Sequence, residues 1–182
     1  MRHSKETVVL QRQVSVECVP SGAPLDLPAG TVADITQALG TNFTLVVGGQ
    51  MVRLHGDDAD AIGKPPPEPV DVPDGPVSPD DAQAFVRQTL KTCYDPEIPV
   101  DIVELGLIYG CAIEPAEHDR LKVTITMTLT APGCGMGEAL ADEVADKVLA
   151  LPFVGEVNVD MVFDPPWDRS RMSETAMLTL GL

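Results

Sequence analysis

Leu121-Lys122-Val123-Thr124-Ile125-Thr126-Met127-Thr128-Leu129-Thr130 decides the fold. Leu121, Val123, Ile125, Met127 and Leu129 alternate with Lys122 and four threonines. That is the period of two of a strand with one apolar and one polar face. The glycine-rich stretch Ala131-Pro132-Gly133-Cys134-Gly135-Met136-Gly137 follows. From about Glu138 to Leu151, Leu140, Val144, Val148 and Leu151 recur at helical spacing, which predicts a helix. Pro152 and Gly155 frame a turn into Glu156–Phe163, where Val157, Val159, Met161 and Phe163 share one side of a further strand. A strand–helix–strand run of this kind predicts a right-handed crossover between parallel strands.

Working outward, Leu107–Ile113 reads as another strand, with Cys111 inside it. Before it, Ser78 is a good N-cap, Pro79 suits a first turn, and Asp80 and Asp81 suit the positive end of a helix. Ala82, Phe85, Val86, Thr89, Leu90 and Cys93 then fall on one helical face. The stretch Tyr94-Asp95-Pro96-Glu97-Ile98-Pro99 is read as ending that helix, because proline cannot continue it. On the far side, Asp164-Pro165-Pro166-Trp167 breaks regularity and a short helix is expected over Ser173–Leu180. Residues 80–182 therefore read as α-β-β-α-β-α: an α+β domain of two layers, with helices on a small mixed sheet.

Lys64–Pro79 contains seven prolines in sixteen residues and reads as an extended linker. Residues 1–63 in front of it read as a small all-β domain, a barrel or curled sheet. Its clearest signal is Phe43–Val47, then Gly48-Gly49, then Gln50–Leu54, a hairpin whose two glycines suit a type I′ turn. His55, Asp57 and Asp58 read as a loop after that hairpin rather than a metal site.

The 182 residues carry 12 Lys and Arg against 28 Asp and Glu, a net charge of −16, of which −11 lies in residues 80–182. That charge argues against nucleic acid, whose phosphates need clustered cations. A mean hydropathy of +0.08 argues against wholesale disorder. No apolar run approaches the roughly 20 residues that span a bilayer, and the first residues do not read as a signal peptide, so a cytoplasmic location off the membrane is expected.

Cys18, Cys93, Cys111 and Cys134 are too scattered for the usual four-ligand zinc or ferredoxin spacing. Cys93 reads as core. Cys134 has the one chemically suggestive setting, between a strand end and a helix start, with Gly133, Gly135 and Gly137 around it. Converging N–H groups and a helix N-terminus favour thiolate, the form that attacks electrophiles or binds metal. A glycine-rich turn holding a small buried cysteine is the competing reading. Asp95 and Glu97 flank a proline in a stiff stretch, and the residues alone permit either a metal or partner site or solvated acids after a helix. Trp167 reads either as an interface anchor or as a lid over the domain's own core.

Three segments together carry a resemblance: Asp95-Pro96-Glu97-Ile98-Pro99-Val100-Asp101-Ile102-Val103-Glu104-Leu105-Gly106-Leu107-Ile108-Tyr109, Leu129-Thr130-Ala131-Pro132-Gly133-Cys134-Gly135-Met136-Gly137, and Asp164-Pro165-Pro166-Trp167 with Met172-Ser173. They resemble the iron–sulfur cluster assembly family that includes SufT, PaaD and the eukaryotic cytosolic iron–sulfur targeting factors. The resemblance covers about residues 80–182, and the β segment with its linker looks like the SufT branch. PaaD-like members carry a Cys-rich C-terminal extension, which is not expected here. The resemblance implies a non-enzymatic role in maturing or targeting iron–sulfur proteins. It puts Cys134 on the family's cysteine and Asp95, Glu97, Thr130 and Gly133 on its companion positions.

A cluster takes about four thiolate-type ligands. One well-placed cysteine therefore implies a transient iron–sulfur cluster shared with a second copy, small thiols or a client. Expected partners are scaffold or carrier proteins of the SUF kind and client apoproteins, with a homodimer as the simplest oligomer. Two alternatives stay open: an interaction adaptor with no cluster of its own, and a cysteine-dependent enzyme. The enzyme would need a base near Cys134, whereas His3 and His55 belong to the other domain and His118 sits in the turn between two strands.

Overall fold

The computed structural model describes residues 6–39, 41–66, 68, 70–73, 77–95, 98–131 and 136–182. Contacts divide the chain into two compact units, residues 1–69 with 96–99 and residues 70–95 with 100–182.

The first unit is a six-stranded antiparallel sheet of β1 (Glu6–Val9), β2 (Val14–Cys18), β3 (Pro24–Leu27), β4 (Val32–Leu39), β5 (Asn42–Val47) and β6 (Gln50–Leu54), ordered β1-β4-β5-β6-β2-β3. The expected hairpin is β5–β6, in register from Phe43↔Leu54 to Val47↔Gln50. Its turn has Gly48 at φ 57° and Gly49 at φ 90°, the left-handed pair that a type I′ turn requires. Leu10, Val14, Val16, Ile35, Leu45, Val52 and Leu54 form the core. The stretch after the hairpin is not a plain loop. Gly56–Ile62 is a short 3-10 helix closed by Gly63. Arg12 clasps it, with Nη2 at 2.7 Å from Asp58 Oδ1 and 2.6 Å from Asp60 Oδ1.

The second unit follows the expected order. It has α1 (Pro79–Leu90), β7 (Ile108–Pro115), β8 (Leu121–Met127), α2 (Met136–Leu149), β9 (Val154–Met161) and α3 (Glu174–Leu180). β8 lies between β7, antiparallel, and β9, parallel. α1 packs on α2 and β7, and α2 packs on β9, so the helices cover the face from which Val123, Ile125 and Met127 point inward. Ser78 caps α1 by accepting from Asp81 N at 3.2 Å.

Several boundaries differ from the sequence reading. α1 ends at Leu90, before the proline stretch. α2 starts and ends two residues early, at Met136 and Leu149. β9 runs from Val154 to Met161, so Phe163 falls beyond the strand, where it is 47% exposed. Among the described residues, no helix is long and apolar enough to cross a membrane.

Candidate functional site

Cys134, Gly133 and Glu97 lie outside the described residues, so the site is built from what surrounds them. Thr130 and Asp95 are described, and both are half-buried.

The segment that carries Asp95 leaves α1 through Cys93 and doubles back. Tyr94 bridges Asp101 antiparallel, and Ile102 N donates to Cys93 O at 3.0 Å. Asp101 Oδ1 accepts from Val103 N and Glu104 N, both at 3.0 Å, which fixes the tight turn that follows. Burial pushes the Asp101 carboxyl up, and burial together with Asp101 pushes the Tyr94 hydroxyl up. Ile102, Leu105 and Leu107 are fully buried. Much of the described part of this motif is therefore core.

Three hydrogen bonds then gather the separated motifs at one end of β8. Thr128 N donates to Leu107 O at 2.9 Å, which places the end of β8 beside Leu107. Trp167 Nε1 donates to Leu105 O at 2.8 Å, and Tyr109 Oη donates to Pro165 O at 3.0 Å. Arg171 sits 4.3 Å over the Tyr109 ring. Trp167 is thus a strap over its own domain, the second of its two sequence readings.

Gly106 makes this closure possible. Its φ is +73°, and a Cβ there would lie 2.2 Å from Arg171 O. Gly137 has a similar local reason. A Cβ on it would lie 2.5 Å from Leu129 Cδ1, so the glycine lets the first turn of α2 approach the chain beyond β8. The glycine thus has a packing role that the sequence reading, which gave it converging N–H groups and room around a sulfur, did not include.

The other described cysteines are poorly placed for chemistry. Cys93 is fully buried, and burial first and Glu143 second push its thiol up to about 12. Cys111 is half-buried in β7, and burial raises it too. Cys18 is half-buried in β2 of the first unit. His118 lies in the β7–β8 turn beside a cavity of about 620 Å³ lined also by Arg120, Lys122, Glu117 and Glu156. Thr130 lies beyond the opposite end of β8, a strand itself about 20 Å long at roughly 3.3 Å per residue. Among the described residues, no group of three His, Cys, Asp or Glu is close enough together to hold a metal ion.

Sequence reasoning missed Asp101, Gly106 and a buried pair on α2, Glu143 with Lys147. Asp101 had a usable signal, an aspartate just before a turn. The burial of Glu143 had none, because it sits among acids that read as a solvated face.

The fold defines a small α+β domain in which the first and third signature segments are hydrogen-bonded to each other. A family profile described as "Iron-sulfur cluster assembly protein" matches residues 83–159. A Porphyromonas gingivalis protein named Fe-S protein maturation auxiliary factor is 45% identical over 53% of this chain and 88% of its own. The Bacillus subtilis factor YitW is 42% identical, over 53% and 91%. The Staphylococcus aureus factor SufT is 38% identical, over 48% and 96%. This chain belongs to the iron–sulfur cluster assembly family, as its motifs implied.

Proposed function

We propose that this protein is an auxiliary factor in iron–sulfur protein maturation that carries or targets labile clusters to client apoproteins through Cys134. One observation supports the reading above the others: the family match spans both of the motifs that carry Asp95 and Cys134, and Thr128 N, just before the second, donates to Leu107 O of the first. The cluster is cargo, handed on rather than used for turnover, so no catalytic residue is assigned.

Cys134 supplies the thiolate, with Gly133, Thr130, Asp95 and Glu97 shaping its surroundings. Cys93 is sealed in the core, so it is no second ligand. The rest of the shell comes from a second copy of Cys134, from small thiols, or from a carrier or client. Incomplete coordination makes the cargo exchangeable, which suits transfer better than electron conduction. A cytoplasmic homodimer serving a SUF-type system is the simplest setting.

Anaerobic reconstitution with iron and sulfide tests this. Visible charge-transfer absorption is expected, substoichiometric and sensitive to chelators. It should vanish in Cys134→Ser and persist in Cys93→Ser and Cys111→Ser. Retention in Cys134→Ser would overturn the site. If wild type forms no cluster, client pull-downs lost only in Cys134→Ser would favour an adaptor.

A further inference from the structure

Glu143 and Lys147 lie one turn apart on α2, on the face that also carries Leu140, Val144 and Val148. Side-chain exposure is 1% for Glu143 and 14% for Lys147, and Nζ lies 2.5 Å from Oε1. Lys147 Nζ also donates to Thr92 O at 2.9 Å. Thr92 is two residues beyond α1 and three before Asp95. Cys93, between them, is fully buried.

A buried ion pair is a poor stabiliser, because desolvation offsets much of the attraction and apolar residues of equal volume often do as well. What such a pair adds here is direction. Leu140, Val144 and Val148 hold α2 by contacts that tolerate small slips and rolls. Moving the helix by one residue shifts it about 1.5 Å and turns it about 100°. No such move keeps an ammonium bonded both to a carboxylate on its own helix and to a carbonyl on another segment.

We propose that Lys147 and Glu143 are positioning residues that pin α2, which begins two residues after Cys134 in the sequence, to the backbone that carries Asp95. The proposal rests on the maturation reading only for what Cys134 does, not for the clamp itself.

The test uses the full chain. Lys147→Met strips the counter-charge from a buried carboxylate and should lower Tm by roughly 10 °C or more. The double variant Glu143→Leu with Lys147→Met removes both charges and should return Tm to within a few degrees of wild type. The deciding readout is the pH profile of Cys134 alkylation, followed residue by residue by mass spectrometry. A clamp predicts that the stable double variant still shifts the profile midpoint by about half a pH unit or more. A double variant with wild-type Tm and a wild-type profile would overturn the proposal. Should the double variant not fold, Glu143→Gln with Lys147→Met takes its place. It removes both charges and the bond to Thr92 O while keeping the volume at both positions, and the same two outcomes decide. Alkylation needs no cluster, so wild type failing to bind one would sink the cluster-carrying reading and leave this comparison intact.

Discussion

The two units of this chain each bury an ion pair, in different ways. In the first, Arg53 on β6 has a side chain only 6% exposed and pairs with Glu17 on β2 at 3.0 Å, while Glu17 remains 37% exposed. Glu17 and Arg53 are direct partners in the β2–β6 ladder. Backbone hydrogen bonds already set the register there, so the pair adds to a geometry fixed without it. In the second unit, Glu143 and Lys147 are both largely hidden and one of them reaches another segment. Helices meet through side chains alone, so register has to be specified by side chains. The first unit is thus held by its ladder, and the second by local knots: the Lys147 clamp, the Asp101 turn, and the Gly106–Arg171 closure.

The sharpest way to break that contrast is to place the same substitution in both units. Gly106→Ala drives a methyl into Arg171 O at a left-handed φ and should cost about 3–5 kcal/mol in denaturant unfolding of the full chain. Gly48→Ala meets nothing within 4 Å, so only its φ of +57° is paid for, about 1 kcal/mol. Equal losses would show that steric closure at Gly106 does not hold the second unit together. Leu45→Ala comes next. Leu45 is fully buried in the first unit, and truncation should cost about 2–5 kcal/mol. If it costs less than Gly48→Ala, the ladder and not the core dominates there.

Trp167→Phe keeps most of the apolar strap and loses the bond to Leu105 O. About 1 kcal/mol is expected, with amide exchange of residues 101–107 reporting the loosening. The smallest effect depends on pH. The Lys91 ammonium and the Ser173 hydroxyl hold the Glu104 carboxyl below the usual carboxylate range. A lowered carboxyl adds stability above its unfolded pKa and loses it as pH falls through the lower folded value. Glu104→Gln should therefore be less stable than wild type at pH 7, by under about 1 kcal/mol, and the gap should close toward pH 3. A gap constant from pH 7 to pH 3 would remove charge from the explanation.

Much of the frame was legible because it is written in local periodicity. Of the face Ala82, Phe85, Val86, Thr89, Leu90 and Cys93, all but the half-buried Phe85 are buried as the spacing predicted. The glycine pair made its turn, and Ser78 its cap. The motifs alone pointed to the family and to Cys134, Asp95, Glu97, Thr130 and Gly133. Chain ends of elements were less legible, since α2 begins at Met136 inside the glycine-rich stretch. That start depends on Leu129 accepting Gly137 against it, a contact no window of sequence contains.

Alternation and helical spacing along the chain were enough to dictate the order of elements, the faces they bury and the sealed position of Cys93. Each rests on interactions between near neighbours. Folding decided which charged residues go inside, which acid caps a turn and which glycine lets two backbones touch. Those outcomes depend on what lies opposite, and for Glu143, Asp101 and Gly106 the opposing group is fixed only once the chain has packed.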